Sequence, residues 1–247
     1  MGEREQVMAA LRGASRRFCD LVESLDPADA ARPVEGLDWN VGDTVAHVLT
    51  VVRRGFADLR RSDRAEATAA LNALCLEETP ERDPQVLGEL LRRDLHTALD
   101  VVFPAIPDDR VFPFHGGVST TMTPALRVVL GEFVVHGFDV ARAVDRPWPV
   151  AGDEARLLVP GELLGAWLRP EAADGAFEIR IAGAAPLLLT IRARRLSTGC
   201  VPPAGSAGAA DVAVIALDPA EFVLGFYGRV PVADPGLLAL RSRFLPA

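Results

Sequence analysis

Glu132 and His136 stand four residues apart inside an apolar series, Val128, Val129, Leu130, Phe133, Val134, Val135 and Phe138. In a helix that spacing places both side chains on one face, about one turn apart. An unpaired carboxylate among apolar neighbours is costly. A metal ion would satisfy the carboxylate and the imidazole together; a hydrogen-bonded polar pair is the other solution. His47 has a comparable setting among Val45, Ala46, Val48 and Leu49. If the two segments are facing helices, His47, Glu132 and His136 converge. Two histidines and one glutamate fit a zinc site that keeps a fourth position for water or substrate, as catalytic zinc does.

The other polar candidates each carry two readings. Asp139, one turn past His136, either orients that imidazole or pairs elsewhere on the helix surface. Asp43, one turn before His47, reads as a helix cap, and Trp39 as an anchor that holds the inter-helix loop in the core. His115, in the loop Phe112-Pro113-Phe114-His115-Gly116-Gly117, either touches a bound substrate or cofactor or stands in solvent. His96 falls on the exposed face of its helix. Arg229, after Tyr227-Gly228, either grips a substrate carboxylate through its guanidinium fork or serves as a turn residue.

These residues need helices to position them, and the apolar spacing supplies four. The first runs from Glu3 to Leu25, with Val7, Leu11, Ala14, Phe18, Leu21 and Leu25 as its stripe, and ends at Asp26-Pro27. The second is capped by Asn40 or Asp43 and buries Val45, Val48, Leu49, Val52 and Phe56. A partly helical connection fills residues 62–83. The third begins near Pro84, with Val86, Leu87, Leu90, Leu91, Leu95, Leu99 and Val102 spaced for burial, and is stopped by Pro104 and Pro107. The fourth starts at Thr123-Pro124 and continues to Val144. Four amphipathic helices suggest a bundle.

After Pro147-Trp148-Pro149 the pattern changes to a small α+β module. It comprises a helix over 153–168 with a weak point at Pro160-Gly161, and strands near 177–181, 187–191 and 212–217. A loop over 202–210, a helix opening at Asp218-Pro219 and an amphipathic segment over 237–244 complete it. The predicted domains are 1–150 and 151–247.

Composition bounds the function. The chain has 247 residues and a formal net charge of −8, with 34 acidic side chains against 26 basic ones, every one of the latter an arginine. That balance argues against broad nucleic-acid binding. No run approaches the ~18 apolar residues of a membrane span, and no export signal is visible. Three cysteines, Cys19, Cys75 and Cys200, without C-x-x-C spacing argue against a disulfide framework. The expected compartment is the cytosol.

Trp39-Asn40-Val41-Gly42-Asp43-Thr44-Val45-Ala46-His47 resembles the W-x-V-x-D-x-x-x-H opening of the second helix in mycothiol-dependent maleylpyruvate isomerase-like proteins, which belong to the DinB-like metal-binding bundles. Glu132-Phe133-Val134-Val135-His136-Gly137-Phe138-Asp139-Val140-Ala141 resembles their E-x-x-x-H-x-x-D-x-x motif. The resemblance spans most of residues 1–150 and implies His47, Glu132 and His136 as metal ligands. Asp211-Val212-Ala213-Val214, Asp218-Pro219 and Tyr227-Gly228-Arg229 are similar to the sterol-carrier-like C-terminal domain of the same proteins. One departure stands out: Leu130-Gly131 precede Glu132 where the family often has a basic residue, the nearest here being Arg127.

The resemblance implies a fold of class α plus α+β, a DinB-like four-helix bundle followed by a smaller sterol-carrier-like α+β domain that shields the open side of the metal. It implies Zn2+ or another divalent metal, and mycothiol as thiol co-substrate. The metal-stabilised thiolate would act on a small electrophile as isomerase or transferase. Arg229 is then the candidate catalytic residue, and Arg229 and His115 are the candidates for binding the co-substrate. Two rival readings are a carrier of an apolar ligand with a structural metal, and a thiol-independent metal hydrolase or cyclase.

Overall fold

The computed structural model of the chain describes residues 2–201 and 212–245. The loop expected over 202–210 and the motif residue Asp211 lie outside them. Two compact units divide the chain, Met1–Trp148 and Pro149–Ala247. The architecture is helix-rich α plus β, with two small sheets among the described residues.

The first unit contains α1 (Glu3–Glu23), α2 (Val41–Arg54), α3 (Thr68–Glu77), α4 (Pro84–His96), α5 (Phe103–Ala105) and α6 (Met122–Ala143). Helix α1 packs against α6 and α4, and α2 packs against the same two helices. The core between them is drawn from one stripe of each: Leu11 and Phe18 from α1, Leu49 from α2, Leu87 and Leu91 from α4, and Leu126, Leu130 and Phe133 from α6, all fully buried. The Phe18 and Phe133 rings meet edge to face at 5.5 Å, the geometry that aromatic quadrupoles favour.

Helix α4 departs from the sequence expectation at its end. Pro104 lacks an amide N–H and should terminate a regular helix. Instead a π-helical turn over Thr97–Val102 shifts the backbone register, and helical geometry resumes in α5 with Pro104 inside it. Val86, expected inside, is 40% exposed because the buried stripe runs through Leu87, Gly88, Leu91 and Leu95.

A two-stranded ladder, β1 (Phe112–Pro113) with β2 (Ser119–Thr120), closes the loop before α6. Between the strands His115–Gly117 form a single 3-10 turn. Gly117 has φ +70, and a Cβ there would lie 2.2 Å from the Asp63 carbonyl oxygen, so the turn rests directly on the backbone of the α2–α3 connection.

The second unit contains α7 (Gly152–Leu157), β3 (Gly175–Ile181), β4 (Leu187–Arg192), β5 (Arg195–Gly199), β6 (Val212–Leu217), α8 (Pro219–Phe226) and α9 (Pro235–Arg241). Sheet order is β5-β4-β3-β6, antiparallel except for the parallel β3–β6 pair. Phe177, Ile179 and Ile181 alternate inward on β3, as do Leu187, Leu189 and Ile191 on β4. Strand β5 had no counterpart in the sequence reading. Its burial shows why: only Leu196 faces inward, so there is no apolar alternation to see. The single helix expected over 153–168 is two pieces, since α7 ends at Leu157 and a 3-10 segment, Glu162–Trp167, follows Pro160 and Gly161. The final segment is helical only to Arg241; Phe244 instead forms a β-bridge with Leu168.

Gly137 tests this packing. The indole of Trp148 lies flat on α6 there, its Nε1–H donating to the Val134 carbonyl at 2.9 Å. A Cβ on residue 137 would fall 2.0 Å from the ring. Gly137→Ala gains helix propensity but must displace a packed ring. The clash wins, with an expected loss of about 1–3 kcal/mol and a lower urea midpoint at unchanged m-value.

Candidate functional site

Helix α2 is aimed by its first turn. The Asn40 side chain accepts from Asp43 N–H at 2.8 Å, and the Asp43 carboxylate accepts from Asn40 N–H at 3.2 Å, a reciprocal capping box. Asp43 is therefore the cap partner of Asn40, and its other oxygen receives Arg82 Nε at 2.6 Å. His47 follows one turn later and is 2% exposed. Helix α6 supplies Glu132 and His136 from its middle turns.

The three side chains come together. Nε2 of His47 lies 3.1 Å from Glu132 Oε2, and Nε2 of His136 lies 3.2 Å from the same oxygen. One potential ligand atom from each residue falls within 4.8 Å of the others. The imidazole rings stand edge to face, 5.0 Å apart. Glu132 retains 26% side-chain exposure, so the cluster is open on the carboxylate side and closed behind the two rings.

Charge is arranged around this carboxylate. Burial alone would raise the Glu132 pKa, but hydrogen bonds from both histidines outweigh it and hold the group well below the usual range. Burial lowers His136, yet its bonds to Asp139 and Glu132 prevail and raise it to about 9. His47 is pushed down by burial despite Glu132. The asymmetry has a visible cause. Nδ1 of His136 meets Asp139 Oδ2 at 3.0 Å, whereas Nδ1 of His47 is buried with no hydrogen-bond partner among the described residues. Of the two readings open for Asp139, the structure supports the orienting one, since its side chain is fully buried behind His136.

Trp39 is not a core anchor. The turn that carries it is fixed by Val34 N–H to the Trp39 carbonyl at 3.0 Å. The half-buried indole then stands 4.8 Å from the His47 ring and 6.2 Å from the His136 ring, forming a wall of the cluster. The sequence identified it as a buried aromatic because bulk alone does not say which cavity a ring lines.

His115 is half-buried rather than solvated. Its Nδ1 accepts from Ser62 N–H at 3.3 Å, which leaves the proton of the neutral ring on Nε2. Burial, followed by the nearby Arg54 and Arg61, pushes it down to about 4, although Glu132 is close enough to oppose this. His96 is exposed and pairs with Asp100 at 2.8 Å. Arg229 belongs to the second unit, where it follows Gly228 (φ +76) and its Nη1 donates to the Tyr227 carbonyl at 3.1 Å. Two residues near the cluster were missed in the sequence, Arg54 and Arg61. Neither carried a signal in the sequence, since an arginine at a helix end is ordinary and only burial sets Arg54 apart.

Burial also bears on the nucleophile. Cys19 and Cys75 are buried free thiols and Cys200 is exposed. Desolvation pushes Cys19 up to about 12, so it is a core thiol and not a thiolate.

Comparison with known families places this geometry. The family profile described as "Mycothiol maleylpyruvate isomerase N-terminal domain" matches residues 11–141, more than half of the chain. The chain belongs to that family. Among solved structures, it is similar to a mycothiol-dependent maleylpyruvate isomerase, with a TM-score of 0.56 and 15% identity over 95% of this chain and 96% of that one. A histidine-to-alanine mutant of such an isomerase matches with a TM-score of 0.54 and 13% identity over the same shares. At these identities the likeness concerns the fold. No curated protein matches the sequence. No helix among the described residues is long and apolar enough to cross a membrane.

The depressed His115 pKa makes a pH prediction. Between 6.5 and about 4 the unfolded chain binds a proton here that the folded chain does not. Stability must therefore fall as pH drops through that window and level off below it. His115→Asn should show a shallower fall than the native protein when urea midpoints are compared at pH 7, 5.5 and 4.

Proposed function

We propose that this chain is a metal-dependent enzyme that uses a low-molecular-weight thiol, mycothiol, on a small electrophile, as an isomerase or a transferase. The observation that carries the reading is the convergence of His47, Glu132 and His136 from two helices, within 4.8 Å, in a chain of this family. The residues fit a metal. Two neutral-capable imidazoles and a carboxylate are a zinc donor set, and the Nε2 atoms of both histidines converge on one Glu132 oxygen. In the same reading α1, α2, α4 and α6 form a DinB-like four-helix bundle, and the unit after Trp148 is a sterol-carrier-like domain.

His47, Glu132 and His136 would hold Zn2+ or another divalent ion, which when bound would stabilise a thiolate near neutral pH. Asp139 keeps His136 in the orientation that turns Nε2 toward Glu132. Trp39 walls the rings against water. A thiolate that adds to a conjugated cis double bond moves the electron pair of the broken π bond onto the conjugated carbonyl oxygen, allows rotation about the resulting single bond, and is expelled as the double bond re-forms in the trans geometry. The Nε2–H of His115 is a donor suited to that oxygen or to the co-substrate. Arg229 has the fork geometry to grip a carboxylate. Because the thiol comes from the co-substrate, the buried setting of Cys19 is no obstacle.

Elemental analysis of the purified protein should show close to one metal per chain, lost in His47→Ala, Glu132→Ala and His136→Ala. Metal content unchanged in all three variants would remove the site. Asp139→Asn should retain the fold and weaken metal affinity by about 10–100-fold, read by competition with a chromogenic chelator. Calorimetry of the zinc-loaded protein should give a heat of mycothiol binding that is absent after chelation. Turnover of an electrophile without any thiol would favour a Lewis-acid hydrolase or cyclase, and co-purified lipid with no thiol binding would favour a carrier.

A further inference from the structure

Arg82 lies in the connection between α3 and α4 and ties the end of one helix to the start of another. Its Nε donates to Asp43 Oδ1 in the first turn of α2 at 2.6 Å. Its Nη1 donates to the carbonyls of Thr79 and Glu81, and its Nη2 to the Leu76 carbonyl at 3.4 Å. Leu76 belongs to the last turn of α3, where a cation complements the helix dipole. The connection is itself fixed: the Glu81 carboxylate accepts from the N–H groups of Arg82 and Asp83, each at 2.8 Å, and Asp83 caps α4 by accepting from Gln85 N–H at 2.8 Å. Its approach to α2 is close. Gly42 is buried, and a Cβ there would lie 3.0 Å from the Arg82 carbonyl oxygen and 3.1 Å from Arg82 Cβ.

Asp43 divides its carboxylate between two tasks. Oδ1 receives Arg82, and Oδ2 receives Asn40 N–H, the residue whose side chain caps Asp43 in return. Asn40 also closes the turn that carries Trp39: Pro33 and Asn40 form a β-bridge, and Val41 N–H donates to the Arg32 carbonyl at 3.0 Å. Arg82 therefore holds the junction from which both Trp39 and His47 depart, one residue before Asn40 and one turn after Asp43. Their rings meet at 4.8 Å. Exposed ion pairs contribute little when each partner must be immobilised for the pair alone. Here the guanidinium is already held by three carbonyls and the carboxylate by an amide, so the pair forms between ordered groups.

The junction matters because of how the cluster is divided. Glu132 and His136 share α6 and move together, whereas His47 arrives alone on α2. Binding constellations need their donors held to within about 0.5 Å, so a small shift at the start of α2 changes the donor set while leaving the core intact. We propose that Arg82 is a positioning residue for the His47–Glu132–His136 cluster: by tying the end of α3 to the first turn of α2 it fixes where His47 and Trp39 stand, and so sets the affinity of the cluster for its metal. The inference rests on the metal-site reading above.

The test uses the full chain, stripped of metal and titrated with zinc against a chromogenic chelator. Arg82→Gln should weaken zinc binding by about tenfold, the low end of the loss for groups that orient metal ligands. Arg82→Lys, which keeps a cation beside Asp43, should recover part of it. Asp43→Asn breaks the same link from the other side and should lose a similar factor, so it carries the test if Arg82→Gln fails to fold. The double variant should lose little more than either single one, since one interaction is removed in all three. Arg4→Gln controls for stability alone: Arg4 donates to the Phe103 and Ile106 carbonyls and to Asp108 at the end of α5, and its loss should lower the urea midpoint without moving zinc affinity. The visible absorption of the cobalt-loaded chain should shift in Arg82→Gln and stay unchanged in Arg4→Gln. Native zinc affinity in folded Arg82→Gln or Asp43→Asn, or an equal loss in Arg4→Gln, would overturn the proposal and leave the metal site standing. No zinc binding by the native chain would overturn both.

Discussion

One carboxylate oxygen, Glu132 Oε2, is shared by two imidazoles at 3.1 and 3.2 Å between α2 and α6. Most of the first unit can be understood from what that contact requires. Burying a carboxylate costs several kcal/mol after relaxation, and here the return comes only if His47 and His136 arrive from different helices with their Nε2 atoms pointing at one place. The capping box at Asn40 and Asp43 fixes where α2 begins, and hence where His47 falls on the helix. Trp148 against Gly137 fixes how closely α6 is approached on the side away from Glu132. The apolar core does the non-specific work of holding the helices together; the polar cluster selects one register among those that core would permit.

The two histidines are built differently, and this gives the cluster a direction. His136 is supported from behind by a fully buried aspartate, while His47 has an indole against its face and an unmatched Nδ1. Asp139 pulls His136 toward the charged form, and burial pulls His47 toward the neutral one. His115 also lies where the charge of Glu132 reaches it.

Much of this was legible in the sequence because it depends on local spacing. Glu132 and His136 at i and i+4, His47 within an apolar helix, and the Asn40–Asp43 cap are patterns of one turn, and helical periodicity fixes them without knowledge of the fold. What was not legible depends on contacts between distant segments. Trp39 lines the cluster only because its loop folds over two helices. His115 is half-buried only because Gly117 lets its turn settle on Asp63. The π-helical turn before Pro104 reflects a choice between ending a helix and shifting its register, which no propensity encodes. Strand β5 was invisible since its pairing comes from the β4 edge and not from its own side chains.

The same distinction explains why Arg54 escaped notice while His47 did not. A histidine in an apolar helix stands out by type, because few roles suit it there. An arginine at a helix C-terminus has an ordinary explanation: it complements the helix dipole and its stem covers apolar surface. Only burial separates the two cases, and burial is a property of the fold. At 6% exposure, with an amide for its one side-chain partner, Arg54 has lost the solvation that would make a dipole contact sufficient. A charge retained under those conditions needs a counter-charge. Asp58, though bonded to Arg60, lies close enough for the Arg54 charge to act on it and is the nearest such counter-charge on the α2 end.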